Sequence, residues 1–519
     1  MTVRPIRLLA GFLTVGVWTM ASRVLGFARD ILIAALLGTG PVAEAFFVAF
    51  RLPNMFRRFF AEGAFNMAFV PMFAKRLEGE GPEPARRFAE EALAGLSTVL
   101  IVVTVVAQVA MPWLVLALAS GFAGEAERFD LAVAFGRICF PYILFVSLAA
   151  LFSGMLNAYG RFAAAAAAPV LLNLVLIAGM GLAWALGLDT GLALSWAVFA
   201  GGVAQLAMLA LAARRAGAGL GLRRPRWTPD MARLVEIGIP AALAGGVLQV
   251  NLLVGTQVAS YFDGAVAWLW MADRVYQLPL GLVGAAIGVV LLPELSRRVR
   301  AGDAAGGREA LNRATEFAMA LTLPATVALL TIPALITAAL FERGAFDAED
   351  SAATATALAI YALGLPAFVQ QKVVQPAYFA REDTRTPLRY AAVSMVVNAA
   401  VAIGLAPVIG WPAAALGAVL AAWVNLWLLW RGAARIGADL TPDARLRGRI
   451  WRLALAAAAM GGVVLALAHL AAPETQAGRW AALALVVPAG AAVYGALAFL
   501  LGAVQADDIR TALARRRPG

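Results

Sequence analysis

Four arginines stand inside long apolar stretches of this sequence: Arg23, Arg29, Arg57 and Arg274. A charge at the centre of a membrane-inserted helix costs about 2.5–3.5 kcal/mol. Such residues normally face a bundle interior or a wet cavity rather than lipid. The acids nearby, Asp30 and Asp273, are fewer than the cations. A surplus of guanidinium groups in apolar surroundings calls for an anion. The planar fork of arginine suits bidentate phosphate binding. The expected ligand therefore bears a phosphate or pyrophosphate, and apolar walls suit an amphiphile. The alternative is local neutralisation of each charge by its neighbours.

The spacing adds detail. In an unbroken helix Arg23 and Asp30, seven residues apart, share a face, and Arg29 lies about a third of a turn away. Gly26 between them allows a bend or close packing. Pro53 removes a helical hydrogen bond, and freed backbone is tolerated only where it packs on protein or lines water. Ser22, Asn54, Glu62 and Asp273 are the polar residues expected to support the arginines.

Other chemistries lack their residues. One cysteine (Cys139) and one histidine (His469) exclude a disulfide framework and a Cys/His metal site. The two lysines, Lys75 and Lys372, do not stand in a phosphate-binding GxxxxGK[ST] loop. A Ser-His-Asp triad would need His469, which lies near the end of an apolar run. No catalytic residue, metal site or resident cofactor is expected.

The elements that must hold these residues are membrane helices. Of 519 residues 62% are apolar and only 14% charged, and mean hydropathy is +0.81. That excludes an ordinary soluble enzyme and a disordered chain. Fourteen runs approach or exceed the ~20 residues that cross a hydrocarbon core. They are 8–36, 43–73, 93–115, 131–157, 163–185, 190–212, 234–259, 266–295, 314–340, 352–379, 390–407, 412–430, 453–470 and 480–503. Arg4 and Arg7 before the first run resemble the start of a signal peptide, but no small-residue cleavage site follows. The run is read as a retained helix.

With the N-terminus in the cytoplasm, inside segments hold 31 of the 42 Lys and Arg, and outside loops hold Arg128, Arg343 and Arg479. The remaining eight fall within spans. This asymmetry puts both termini in the cytoplasm. It also explains a basic balance that in a soluble protein would suggest nucleic acid.

Two segments repeat. Ala49–Asn54 (AFRLPN), then Phe69–Arg76 (FVPMFAKR), resemble Ala272–Gln277 (ADRVYQ), then Leu291–Arg298 (LLPELSRR). Arg51 and Arg274, Pro71 and Pro293, and Tyr159 and Tyr378 are separated by nearly the same interval. The offset covers six spans, so both halves keep one orientation, a parallel repeat of the transporter kind with its site between lobes near midplane. The expected fold is an all-α membrane protein of 14 transmembrane helices: two six-helix lobes, 1–215 and 216–440, plus two C-terminal helices in 441–519.

Several motifs resemble the MurJ (MviN) lipid II flippases. They are Ser22–Asp30 (SRVLGFARD), Ala45–Asn54 (AFFVAFRLPN), Arg57–Phe65 (RRFFAEGAF) and Ala272–Arg274 (ADR). Further blocks are Phe140–Leu144 (FPYIL), Tyr361–Pro366 (YALGLP) and Ala380–Pro387 (AREDTRTP). The resemblance runs from about residue 15 to 400. It implies the multidrug/oligosaccharidyl-lipid/polysaccharide exporter fold in the cell inner membrane. It implies transport of lipid II, an undecaprenyl-pyrophosphate disaccharide-pentapeptide, to the outer leaflet for peptidoglycan synthesis, whose machinery is a possible partner. The family's cavity arginines match Arg23, Arg29, Arg57 and Arg274, and its acid matches Asp30. The C-terminal helices would form a groove for the polyprenyl tail. Glu44 stands where the family often has Asp, and Arg51 where Lys is common. A sodium site proposed for some members finds only Asn398 and, loosely, Glu236 here, which leaves a coupling ion unassigned. The competing functions are export of drugs or of another lipid-linked oligosaccharide, a polyprenyl-phosphate enzyme, and a non-transporting membrane scaffold.

Overall fold

The computed structural model describes the backbone of residues 5–57, 64–471 and 473–505, and their side chains except at 5–13, 64–67, 239–252 and 282–290. Glu62 and Arg58 lie outside the described residues. The first half holds α1 (Pro5–Leu37), α2 (Pro41–Arg57), α3 (Ala64–Gly79), α4 (Pro82–Leu118), α5 (Ala126–Cys139), α6 (Tyr142–Ala158), α7 (Phe162–Leu186), α8 (Thr190–Arg215) and α9 (Pro229–Ala259). There follow α10 (Ala265–Arg300), α11 (Ala304–Thr331), α12 (Pro333–Phe341), α13 (Ala348–Phe379), α14 (Arg385–Ile409), α15 (Pro412–Ala433), α16 (Ala444–Ala471) and α17 (Gln476–Leu500). Among the described residues the only β pairing outside named strands is the bridge Arg343–Phe346.

Among the described residues ten stretches are long and apolar enough to cross a membrane: α4, α5 with α6, α7, α8, α11, α13, α14, α15 with the turn after it, α16 and α17. Helices α1, α9 and α10, at 33, 31 and 36 residues, also exceed the length a bilayer core needs. Outward faces have lipid-like chemistry. On α4, Val99, Val102, Val105, Val106, Val109 and Trp113 are all exposed at helical spacing.

Capping residues set where several helices start. Asp189 accepts the Leu192 N–H (2.6 Å), Asp303 the Gly306 N–H (2.8 Å) and Thr475 the Gly478 N–H (3.1 Å). Asp347 and Asp350 form a reciprocal capping box. Two expected spans are each two helices. The 131–157 run breaks at Phe140–Pro141, and the 314–340 run at Ile332–Pro333. In both, the proline has no N–H to continue the ladder and begins or precedes the next helix.

The helix register reproduces the repeat. Helices begin at Pro82 and Ala304, at Ala126 and Ala348, and at Thr190 and Pro412, and the interval is identical in all three pairs.

The helices gather into two compact units, up to Ala267 and from Trp268 onward. In the first, α1 packs on α7, α7 on α8, α2 on α5, and α3 on α6 and α9. Its core includes stacked rings of Phe69 with Phe73 and Phe88, each at 5.6 Å. In the second, α15 packs on α13 and α14, while α11 packs on α13 and α16. Glu316 of α11 binds Arg449 and Arg445 of α16, and Arg313 binds Asp443 just ahead of it. That network docks the start of α16.

The three basic residues expected outside each have a local role. Arg128 is buried and bridges Glu44 (3.2 Å), Glu125 (2.8 Å) and Asp263 (2.6 Å). Arg343 donates to the Ala339 and Leu340 carbonyls at the end of α12. Arg479 pairs with Glu342 at 2.8 Å.

Candidate functional site

Arg29 and Asp30 are almost wholly buried, at 8% and 3% exposure. Arg29 donates from Nε (3.1 Å) and Nη2 (2.7 Å) to Asp30 Oδ1. Its third hydrogen bond runs from Nη1 to Asn173 Oδ1 on α7, at 2.9 Å. Asn173 Nδ2 donates in turn to the Ser22 carbonyl at 3.0 Å. Gly26 faces the same amide: a Cβ there would stand 3.4 Å from Asn173 Nδ2, an ordinary contact. The expected supporting residues Ser22 and Gly26 thus belong to one knot with Arg29 and Asp30. A buried charge needs such pairing, because desolvation is otherwise uncompensated.

Arg23, on the same helix, is exposed. No hydrogen bond or ion pair holds its side chain among the described residues. It leaves Asp30 to Arg29, although seven-residue spacing puts Arg23 and Asp30 on one face. Spacing assigns a face; adjacency and burial assigned the partner.

Arg57 ends the described part of α2 and is half-buried. Helix α2 continues through Pro53, which is buried. Pro53 removes the N–H that would reach the Ala49 carbonyl. Beside it, Asn54 Nδ2 donates to the Phe50 carbonyl at 2.9 Å.

In the second unit, Asp273 and Arg274 on α10 are both half-buried. They turn to different neighbours one helical turn away. The Arg274 guanidinium lies 4.5 Å from the Trp270 ring centroid, and Asp273 accepts a hydrogen bond from Gln277. The cation–π contact holds the guanidinium beside the indole.

Sequence reasoning missed Asn173. The available signal was one amide in the Ala/Leu-rich run 163–185. It also missed the knot in which Glu44 receives the Val266 N–H at 3.0 Å as well as Arg128. Glu236 is exposed and pairs with Arg233 at 2.7 Å, and Asn398 is buried on α14.

Residues 33–485 match the family model described as lipid II flippase MurJ. A Rhizobium tropici protein named probable lipid II flippase MurJ is 47% identical over 516 residues, 98% of this chain and 97% of that one. A Burkholderia cenocepacia protein named lipid II flippase MurJ is 36% identical over 435 residues, covering 83% and 84%. Among solved structures, lipid II flippase MurJ in an inward closed conformation aligns with a TM-score of 0.78 at 22% identity, over 94% of this chain and 98% of that one. An inward-facing multidrug resistance MATE transporter of the MOP superfamily aligns at 0.64 and 16% identity, over 80% and 95%. At such identities the structures speak for the fold alone, an all-helical one. The matched span and the two sequence relatives place the chain in the lipid II flippase MurJ family.

Proposed function

We propose that this protein moves lipid II from the inner to the outer leaflet of the cytoplasmic membrane by alternating access. The observation that carries the reading is Arg23, an exposed guanidinium without a described protein partner, on the helix where Arg29 is held rigid. Near-full-length identity to proteins named lipid II flippases supplies the substrate. The neutral or cationic drugs of other exporters would gain nothing from surplus arginines.

In this reading fourteen spans form two six-helix lobes, 1–215 and 216–440, with 441–519 adding two helices for the polyprenyl tail. Basic loops keep both termini in the cytoplasm. Arg23, Arg57 and Arg274 bind the pyrophosphate through charge-assisted hydrogen bonds. Arg29 adds field strength from a fixed position, with Asp30 and Asn173 orienting it. Ser22, Gly26, Pro53, Asn54, Glu62 and Asp273 shape the surroundings. Rocking of the lobes, largely as rigid bodies, then exposes the headgroup outside.

The test is depletion and complementation with leaflet-resolved labelling of lipid II, at equal expression. Wild type should restore outer-leaflet lipid II, and Arg23→Ala and Arg274→Ala should leave it inside. Lysine at either position should rescue partly, because it binds phosphate as a point charge. Normal translocation by all the alanine variants would overturn the site. Failure of wild type to move lipid II would overturn the substrate.

A further inference from the structure

Residues 216–228 join α8 to α9, and their composition is unlike that of the other connections. The segment holds Leu222, Arg223, Arg224, Pro225, Arg226 and Trp227 in succession, and all six are exposed. Leu222 is 93% exposed and Trp227 76%. A leucine and an indole so bare, beside three arginines, resemble the residues that sit at a membrane–water interface.

Both ends of the segment are clamped. Glu90 of α4 is buried and accepts the Gly221 N–H at 3.0 Å and the Arg223 guanidinium. The neighbouring Glu91 accepts the Thr228 hydroxyl at 3.0 Å, and Thr228 caps α9. Arg76 of α3 then binds Asp230 in the first turn of α9 at 2.5 Å. Pro225 keeps Arg224 out of helical conformation. A short stretch with bare apolar and basic groups is therefore displayed on a fixed frame. Arg223 is neutralised by Glu90. Arg224 and Arg226 have no ion pair among the described residues.

We infer that residues 222–227 dock on the anionic headgroups of the leaflet beside them, with Leu222 and Trp227 entering the interface and Arg224 and Arg226 facing lipid phosphates. Charge complementarity selects this occupant: basic residues near an anionic leaflet each gain about 1 kcal/mol, roughly a five-fold shift in the docked population. The inference rests on the reading that this connection lies on the cytoplasmic side, where basic loops belong.

The experiment uses the full chain with Cys139→Ala, which removes its one native thiol, and Leu222→Cys carrying an environment-sensitive fluorophore. The protein is reconstituted in vesicles of phosphatidylcholine alone or rich in phosphatidylglycerol. Quenching by lipids spin-labelled near the headgroup is read against quenching by aqueous iodide. In anionic vesicles the emission should shift blue, lipid quenching should rise and iodide access should fall. High salt should reverse this. Arg224→Gln with Arg226→Gln should lower the docked-to-undocked ratio on the order of 30-fold.

Equal iodide access in both vesicle types overturns the inference. So does burial that appears only when cytosolic extract is added, which would assign the segment to a soluble protein partner. Lipid II translocation by the same protein is measured separately. Docking without translocation overturns the flippase reading alone, and translocation without docking overturns this inference alone.

Discussion

Arg29 and Arg23 should fail in different ways when truncated, and the difference tests whether the α1 knot is rightly described. Arg29→Ala removes three hydrogen bonds, two of them to Asp30, which is 3% exposed. Removing one partner of a buried pair costs about 3–5 kcal/mol, most of it the charge left behind. Adding Asp30→Asn discharges that acid, so the double variant should recover most of the loss. Arg23→Ala cuts a side chain with no described partner and should change stability by less than about 0.5 kcal/mol. For transport the ranking differs. Loss of a charge-assisted contact to pyrophosphate, about 1.5–3 kcal/mol, lowers affinity roughly 10- to 100-fold. Arg23→Ala should therefore show near-normal stability with impaired flipping. The Arg29→Ala, Asp30→Asn variant should be stable yet still impaired. Stability is read from the monodisperse fraction after heating in detergent, and flipping from outer-leaflet lipid II. An Arg29→Ala protein as stable as wild type, or a double variant no better than the single, would refute the knot.

Three further outcomes follow from packing and charge. Gly202→Ala should destabilise by about 1–3 kcal/mol, because a Cβ there would stand 2.8 Å from the Tyr142 ring and 3.2 Å from Phe145; thermal inactivation checks it. Glu316→Ala removes an acceptor for buried Arg449 and for Arg445, so the first turns of α16 should gain amide exchange while α13 keeps its protection. The loop carboxylates set the acid limit. Hydrogen bonds from the Thr386 hydroxyl and N–H hold Asp383 below the usual carboxylate range, and Thr441 does the same for Asp439. A depressed folded pKa gives stability that is present above the unfolded value and lost as pH falls through the folded one. Proteolysis at 380–384 and 437–441 should thus be flat at neutral pH and rise only below about pH 4, and Asp383→Asn should abolish the pH dependence at the first loop.

The helices were legible because hydrophobic run length in a membrane is a strong constraint. Interruptions were harder. Pro141 and Pro333 mark breaks, yet Pro53, Pro112, Pro169 and Pro366 lie inside continuous helices. In a bundle, neighbouring helices can re-satisfy the backbone a proline frees, so proline alone does not locate a break. The charged residues were equally visible, since an arginine in an apolar run has few innocent explanations. Their partners were not. Arg29 binds Asn173, far along the chain on α7, and no spacing rule reaches that far. Face assignment also favoured Arg23 beside Asp30, whereas the adjacent Arg29 folds back onto that carboxylate and buries it.

The repeat sharpens what the arginines mean. Three pairs of helix starts recur at one interval, but the charges do not follow them. Where the repeat register carries Arg23 into the second half stand Gly245 and Gly246, and where it carries Arg29 stand Asn251 and Leu252. The counterparts of Asn173 are Met395 and Val396, and those of Arg57 are Pro279 and Leu280. Of the arginines in α1 and α2, only Arg51 meets another arginine, Arg274. If the buried charge served merely to hold a six-helix bundle together, both copies would need it. The second copy folds with the same register and without it, so the α1 arginines are not a requirement of the scaffold. A costly charge kept on one repeat is what a single polar headgroup would demand. Arg23 and Arg29, which the second repeat does not match, fit the proposed reading in which one pyrophosphate needs one strong seat.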